Sequence, residues 1–123
     1  MGKTIAFTDG IFSSLQAGHI SSLSLAAAEA DLLIVGLNGD RSVRKLKGED
    51  FMVHEQDARA LLLASLVMVD GVVIFEEETP LELIKLLMPD VLIKTGDGKQ
   101  EVVGAKEVRA AGGRVVINPP LPG

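Results

Sequence analysis

The sequence predicts a single doubly wound α/β domain, in which helices cover both faces of a parallel five-stranded sheet. Short, nearly continuous apolar blocks alternate along the chain with longer stretches of helical spacing. Strands that are apolar on both sides are typical of parallel sheets buried between helices. A chain of 123 residues has the size of one domain, so we assign residues 1–123 to one folding unit.

The five predicted strands are the apolar blocks, and each is rich in Val, Ile, Leu or Phe. The first strand runs into a polar glycine turn that begins at Asp9, and the fourth runs into a second glycine turn after Lys94. In chain order the predicted strands cover residues 4–8, 32–37, 72–75, 91–94 and 115–118.

The five predicted helices occupy the stretches between those strands. The third is apolar around most of its circumference, which is more than one buried stripe requires, so we predict a homodimer that covers part of it. The fourth begins where Thr79, Pro80 and Glu82 offer the hydroxyl, proline and carboxylate of a capping box. In chain order the predicted helices cover residues 18–30, 42–47, 55–69, 79–88 and 101–111.

Composition excludes several function classes. The absence of cysteine excludes disulfides, thiolate metal sites and a cysteine nucleophile. Four Phe without Trp or Tyr leave few side chains to stack on bases, so nucleic acid is not a predicted partner. No apolar run is long enough to span a membrane and the first residues lack signal-peptide organisation, so we predict a cytoplasmic protein with no membrane partner.

The loop after the first strand is the best candidate for a phosphate site. Residues 7–19 pass from a strand through a glycine turn into the first turn of a helix that holds Gln16, Gly18 and His19. Free amide groups and the peptide dipoles place positive potential at such a helix start, which attracts a polyanion. A second polar glycine loop, residues 94–98, follows the fourth strand.

These two loops are expected to form one site. With the strand order 3-2-1-4-5, the first and fourth strands flank the crevice in which open α/β sheets bind ligands. The sequence has neither Gly-x-Gly-x-x-Gly after the first strand nor Gly-Lys-Ser/Thr anywhere, which argues against dinucleotide oxidoreductases and P-loop NTPases. Another class of nucleotide-binding fold is therefore expected.

Charge adds a requirement, because a net charge of −5 repels a phosphorylated ligand unless cations gather locally or a divalent metal intervenes. A basic cluster directly after Asn38-Gly39-Asp40 could supply these local cations, although such a run can also be the solvated face of a helix. Three consecutive glutamates at residues 76–78 do not converge on one face and predict a solvated turn, not a metal site. The basic cluster consists of Arg41, Arg44, Lys45 and Lys47.

Taken in order, these blocks resemble the cytidylyltransferase-like nucleotidyltransferases. The resemblance is carried by residues 7–19, 35–48, 74–80 and 89–97, together with Arg59, and covers nearly the whole chain. The blocks Asn-x-Asp-x-Ser-Val-x-x-Leu-Lys-Gly and Glu-Glu-x-Thr-Pro are similar to the adenylyltransferase domain of ADP-heptose synthase, the RfaE-type branch of lipopolysaccharide core synthesis. A Rossmann-like fold of the nucleotidyltransferase type is implied.

The resemblance also implies a reaction and its residues. A nucleotidyl group would pass from ATP or CTP to a phosphorylated sugar or polyol with release of pyrophosphate, and Mg²⁺ would bind through the phosphates without protein ligands. The implied catalytic residues are His19, Gln16 and Lys47. The implied nucleotide-binding residues are Thr8, Asp9, Gly10, Phe12, Gly18, Asn38, Asp40, Arg59, Lys94, Gly96, Asp97 and Gly104.

Individual roles follow from the same resemblance. His19 would donate to the triphosphate, and Gly18 would let backbone approach closely. Lys47 and Arg59 would neutralise phosphate charge, and Gly104 would approach the base. The loop of Lys94, Gly96 and Asp97 would line the side that receives the second substrate. As alternatives, Asp97 is a turn residue and Arg59 a helix-surface cation.

The chain departs from the family pattern in ways that favour a second hypothesis. Gln16 stands where the family has its first histidine, and an amide donates a hydrogen bond but carries no positive charge. The sequence also stops before the family's closing Ser-Thr-Thr segment, which either follows Gly123 in the protein or is absent from it. The alternative function is a non-catalytic nucleotide-binding or assembly domain. The other departures are Asp9 for Asn, Ser13 for Asp, Phe51 and Met52 for Arg-Pro, Thr95 for Gly and Gly98 for Tyr.

Overall fold

A computed structural model describes residues 2–51 and 54–122 of the protein. Met52, one of the departures from the family pattern, lies outside the described residues. The strands are β1 (Ile5–Gly10), β2 (Leu32–Asn38), β3 (Gly71–Phe75), β4 (Val91–Thr95) and β5 (Arg114–Asn118). The helices are α1 (Ala17–Ala27), α2 (Asp40–Lys47), α3 (Gln56–Ala64), α4 (Leu81–Leu87) and α5 (Ala105–Ala110).

All five strands lie parallel in the order β3-β2-β1-β4-β5, which confirms the predicted sheet. Two apolar layers cover it. On one face Leu33 and Leu63 belong to a core under α1 and α3, and on the other Phe7 and Ile84 belong to a core under α4 and α5. The central strand β1 is therefore buried from both sides, and its carboxyl end opens beside that of β4.

Three aspartates fix the opposite, amino-terminal edge of the sheet. Each precedes a strand, and its carboxylate accepts a hydrogen bond from a backbone N–H in a neighbouring strand or in the residue just before that strand. Because these bonds satisfy the strand starts, the amino edge is closed and the carboxyl edge is left for ligands. The bonds run from Thr4 N to Asp31 (2.9 Å), from Leu33 N to Asp70 (2.8 Å) and from Ile5 N to Asp90 (2.8 Å).

Helix α3 ends earlier than predicted, at Ala64 instead of residue 69. The Ser65 hydroxyl donates to the Leu62 carbonyl, and tight turns follow in which Leu66 N donates to Leu63 O and Val69 N to Leu66 O. These turns bring Leu66 and Val69 to the core under α1 and α3. In a continuing helix Leu66 would keep the face of Leu63, but Val69 would turn away from it, so the tight turns are what bring Val69 to this core.

Two helix starts also differ from the prediction. Helix α4 begins at Leu81, and Glu82 pairs with Lys85 at 3.5 Å along the helix, so it does not complete the predicted capping box. Thr79 Oγ1 lies 3.5 Å from the Leu81 N–H, a weak cap. Helix α5 begins at Ala105, because Gly104 before it has the left-handed φ of 87°.

Candidate active site

A continuous crevice opens at the carboxyl ends of β1 and β4, where the sequence predicts the ligand site. It consists of three adjoining cavities of about 400, 190 and 210 Å³. The largest lies along the loop after β4, and the other two lie along the loop after β1 and the first turns of α1. Thr95 lines all three, Asp9 lines the first and second, and His19 lines the second and third. We call this feature the β1–β4 crevice.

His19 stands on the first turn of α1 with one ring nitrogen already engaged. The backbone N–H of Gln16 donates to His19 Nδ1 over 3.1 Å. Because Nδ1 accepts this bond, the neutral ring carries its proton on Nε2. His19 therefore offers an N–H donor to a ligand in the crevice, and Gln16, at the start of α1, lines the same small cavity.

Phe12 holds the imidazole of His19 from the side. Its ring meets that of His19 edge-on, with centroids 5.8 Å apart and planes at 69°. A Cβ on Gly10 would lie 2.9 Å from the Phe12 ring, so a larger residue there would push the ring from its place. Phe12 itself has the left-handed φ of 48°, which a bulky side chain rarely adopts. The loop between β1 and α1 is thus held in an unusual conformation beside the candidate catalytic histidine.

Asp9 and Lys94 bring opposite charges to the wall of the largest cavity. Burial raises the pKa of the Asp9 carboxyl above its ordinary value of 3.8, and the positive charge of Lys94 opposes this rise without cancelling it. A raised pKa lessens the negative charge that Asp9 would present to a phosphate at moderately acidic pH. Lys94 leaves a cation on the same wall.

Gly18 is covered by residues 121 and 122. A Cβ on Gly18 would lie 2.6 Å from the carbonyl oxygen of Leu121 and 2.9 Å from that of Pro122. The resemblance implies that Gly18 lets backbone approach the triphosphate, whereas the structure places the backbone of Leu121 and Pro122 against Gly18. Pro120 and Leu121 also line the third cavity, of about 210 Å³, together with His19. This segment therefore forms one wall of the crevice.

Arg59 lies inside the fold, although its predicted role is to neutralise phosphate charge. It is 1% exposed, and its guanidinium donates four hydrogen bonds. The geometry therefore favours a structural role over the phosphate contact and excludes the alternative of a helix-surface cation. The acceptors are the carbonyls of His54 (2.8 Å), Ile11 (2.8 Å) and Asn38 (2.7 Å) and the Asp40 carboxylate (2.8 Å).

Asn38 and Asp40 are engaged in the same network, away from the cavities. The Asn38 amide donates to Ser42 Oγ over 3.0 Å, and Asp40 exchanges two bonds with Gln56. Burial pushes the pKa of Asp40 upward, but the hydrogen bonds from Arg59 and the Gln56 N–H outweigh it, so its pKa lies below the ordinary value. Both residues shape the pocket indirectly, by holding the end of β2 and the start of α2.

The basic cluster lies on the exposed surface of α2, as the solvated-face alternative states. Arg41 lies 4.0 Å from Glu76 and Arg44 lies 3.9 Å from Glu49, while Lys47 is exposed and lines none of the three cavities. The start of α2 is occupied by Glu76, whose carboxylate accepts the Ser42 N–H at 3.1 Å. A phosphate at this helix start would have to displace Glu76.

The remaining predicted residues divide between the crevice and a separate cavity. Lys94, Gly96 and Asp97 line the largest cavity, and Asp97 also accepts the Lys99 N–H at 2.9 Å, so it forms the turn as well. Gly104 lines a different cavity and packs on Ile84, whose Cδ1 would lie 2.8 Å from an added Cβ. This packing explains Gly104 without a nucleotide base. The predicted residues at the end of β1 and in the loop after it that line the second cavity are Thr8, Asp9, Gly10 and Phe12.

The sequence analysis missed Thr95 and Ser22. Thr95, at the end of β4, lines all three cavities, and Ser22 lines the two that hold His19. Ser22 follows His19 by one helical turn, so helical spacing could have indicated it. Thr95 was treated only as a departure from the family pattern, although its place at the end of a central strand could have indicated it.

Comparison with known sequences identifies the family. A profile described as cytidylyltransferase-like matches residues 7–117, most of the chain. The chain belongs to the cytidylyltransferase-like family. Among curated relatives, bifunctional protein HldE of Acidiphilium cryptum is 52% identical over 123 residues, covering 99% of this chain and 25% of that protein. HldE of Nitratiruptor sp. is 56% identical over 112 residues, covering 88% and 24%. The chain thus spans about a quarter of these relatives' length.

Solved structures share the fold. A lipopolysaccharide core biosynthesis protein from Thermoplasma volcanium superposes with a TM-score of 0.77 at 23% identity, covering 98% of both chains. Pantoate-beta-alanine ligase from Francisella tularensis gives a TM-score of 0.67 at 16% identity, covering 98% of this chain and 60% of that one. At these identities the likeness shows a common architecture.

Two features are absent from residues 2–51 and 54–122. No helix in these ranges is both long and apolar enough to cross a membrane. No group of three or more histidine and carboxylate side chains there is arranged to hold a metal ion.

Proposed function

We propose that the protein transfers a nucleotidyl group from ATP or CTP to a phosphorylated sugar or polyol, with release of pyrophosphate. The observation that carries the proposal is the crevice itself, in which His19, Thr95 and the Lys94 loop line adjoining cavities at the start of a helix. Such a place offers hydrogen-bond donors and positive potential to a triphosphate. The resemblance of the Asn-x-Asp-x-Ser-Val and Glu-Glu-x-Thr-Pro blocks to the adenylyltransferase domain of ADP-heptose synthase favours a precursor of the lipopolysaccharide core as the product.

In the proposed reaction, a phosphate oxygen of the acceptor attacks the α-phosphorus of the nucleotide. A new P–O bond forms there as the bond to the β-phosphate breaks, and pyrophosphate leaves with that electron pair. The protein contributes by positioning and charge stabilisation. His19 Nε2–H would donate to a phosphate oxygen on which charge develops, and the Lys94 ammonium would balance negative charge from the β4 side. No covalent intermediate is needed.

Magnesium is proposed as the cofactor. The ion prefers oxygen ligands and is usually held by substrate phosphates with few protein groups. Asp9 is a carboxylate on the crevice wall, so an oxygen donor of the right kind is present. When bound, Mg²⁺ would supply charge neutralisation for the phosphates.

A second candidate is a nucleotide-binding or assembly domain without turnover. Gln16 favours it, because an amide lines the cavity where a second imidazole could otherwise carry positive charge toward the reacting phosphorus. We further propose a cytoplasmic location and a homodimer as the working form of the protein.

Pyrophosphate release tests the enzymatic proposal. The chain is incubated with ATP or CTP, Mg²⁺ and a panel of sugar and polyol phosphates, and calorimetry with each nucleotide runs in parallel. Turnover that falls on the order of 10²–10³-fold in His19→Ala, but not in the exposed His54→Ala, would support it. Heat of binding without turnover would favour the second candidate. If neither turnover nor heat of binding is observed, both candidate functions are contradicted.

A further inference from the structure

We propose that Arg59 is a positioning residue that holds the His19 imidazole in place through the Ile11–Phe12 peptide. The catalytic consequence of this inference depends on the proposed function, whereas the contacts that carry it do not. They form a path of three steps from α3, through the loop after β1, to the first turn of α1.

The first step is the hydrogen bond from Arg59 Nη1 to the Ile11 carbonyl, at 2.8 Å. Arg59 is fully buried, and the same guanidinium is held by the Asp40 carboxylate and by the carbonyls of Asn38 and His54. A buried guanidinium held by several planar bonds cannot move without leaving charged or polar groups unpaired. The Ile11 carbonyl is therefore tied to the rigid end of β2 and the start of α2.

The second step is the backbone of Phe12. The Ile11 carbonyl belongs to the peptide unit that precedes Phe12, so its orientation constrains rotation about the Phe12 N–Cα bond. That rotation is set at φ 48°, in a region that bulky side chains rarely adopt. Such a conformation persists when the surrounding structure fixes it, and the bond from Arg59 is a contact that does so.

The third step is the contact between the Phe12 and His19 rings. The rings meet edge-on at 5.8 Å, and the Phe12 ring also lies 2.9 Å from where a Cβ on Gly10 would stand. If Phe12 returned to an ordinary φ, its ring would leave this position and His19 would lose its lateral support. The Gln16 N–H would then be the remaining described constraint on the imidazole.

This path predicts different behaviour from a direct phosphate contact at Arg59. A direct contact would act only when nucleotide is bound, and a lysine could partly replace it as a point charge. A positioning role acts in the ligand-free protein, and lysine fails because it cannot reproduce the fork of hydrogen bonds.

The test is heteronuclear NMR of the imidazole nitrogens in the ligand-free chain at about pH 8, where an ordinary histidine ring is neutral. The wild type is expected to show the Nε2–H tautomer for His19. We expect Arg59→Lys to shift the His19 ring signals, because the Phe12 ring would no longer lie edge-on against the imidazole. Arg109→Lys, which changes an exposed arginine on α5, should leave them unchanged.

A second pair of variants keeps the test decisive if Arg59→Lys does not fold. Phe12→Leu removes the ring contact without touching the Arg59 network, whereas Phe75→Leu removes an aromatic ring from the buried end of β3. We expect the His19 signals to shift in Phe12→Leu and to stay unchanged in Phe75→Leu. The double variant Arg59→Lys with Phe12→Leu should shift them no further than the larger single change, because both act on one path.

Kinetics add a readout on active protein. Arg59→Lys and Phe12→Leu should each lower kcat by about tenfold or more, with the KM for nucleotide changed by less than about twofold, since a misplaced catalytic group slows the reaction more than binding. Unchanged His19 signals in both variants would overturn the inference. A raised KM with unchanged His19 signals would instead assign Arg59 to phosphate binding. If the wild type shows no turnover, the NMR result alone decides, so the inference and the proposed function fail separately.

Discussion

The backbone N–H of Gln16 donates to Nδ1 of His19 over 3.1 Å, so position 16 supports the histidine through its main chain whatever side chain it carries. A substitution at Gln16 can therefore change the chemistry of the crevice without moving His19. The effect of a charged side chain at position 16, where the family has a histidine, can therefore be measured while the hydrogen bond that orients His19 is kept.

Replacing Gln16 by histidine should raise the rate of nucleotidyl transfer. A second imidazole would line the small cavity beside His19 and could carry positive charge toward the reacting phosphates. By analogy with a preorganised donor, the gain in kcat should reach on the order of 10²-fold. Gln16→Glu is the matched control, and its negative charge should lower the rate. Equal rates in the two variants, measured by pyrophosphate release, would refute the charge argument.

Replacing Gly18 by alanine should displace the segment of residues 120–122. Alanine inside a helix normally adds up to about 1 kcal/mol of stability relative to glycine. Here the added Cβ would lie 2.6 Å from the Leu121 carbonyl oxygen, so the segment has to move and the gain is lost. The methyl signals of Leu121 should shift in the NMR spectrum, while Gly2→Ala, where the space is open, should leave them unchanged. Unshifted signals with a raised melting temperature would show that the segment does not press on Gly18.

Acid should weaken the fold through Asp31. Hydrogen bonds from the Thr4 N–H and hydroxyl lower the pKa of Asp31 below its ordinary value of 3.8. A carboxyl with a lowered pKa in the folded state stabilises the fold above the ordinary value, and this contribution disappears as the pH falls through the lower, folded pKa. Urea unfolding should therefore find Asp31→Asn less stable than wild type at pH 7, with the gap closing below about pH 4. A gap that is constant with pH would mean that the charge of Asp31 is not involved.

The predicted homodimer would cover apolar side chains that are exposed on α3 and just after it. Leu61 is 70% exposed and Val67 is 95% exposed, and neither belongs to the two cores. Leu61→Glu should convert a dimer to monomers at micromolar concentration, as judged by light scattering. Leu86→Glu, at a residue 86% exposed on the opposite face of the sheet, should not. A wild-type chain that scatters as a 13.0 kDa species would contradict the dimer.

The fold was predictable because its signals are local. Apolar blocks such as residues 32–37 alternate with helical stretches, and glycine turns after the first and fourth strands indicate which ends of the sheet hold polar groups. The convergence of His19 and the Lys94 loop on one crevice followed from strand order alone. Helix ends were less predictable, as α3 shows, because tertiary packing decides them.

The parts of the site that the sequence did not predict depend on which neighbouring groups a residue contacts in the folded chain. In the sequence, a cation at position 59 is compatible with a surface charge and with a phosphate ligand. Its structural role becomes visible only from the carbonyls that accept hydrogen bonds from Arg59. One local signal was available, since Arg59 precedes the buried Leu63 by one helical turn and therefore shares its face. For Gly18, the sequence indicated that backbone could approach a ligand there but not that Leu121 and Pro122 pack against it.

Chemical-shift mapping with ATP and Mg²⁺ asks whether a triphosphate occupies the β1–β4 crevice. We expect saturable shifts at His19, Thr95 and Gly96, with the exposed ring of His54 unaffected, and loss of these shifts in His19→Ala. Shifts confined to the basic surface of α2, or none at millimolar nucleotide, would contradict it.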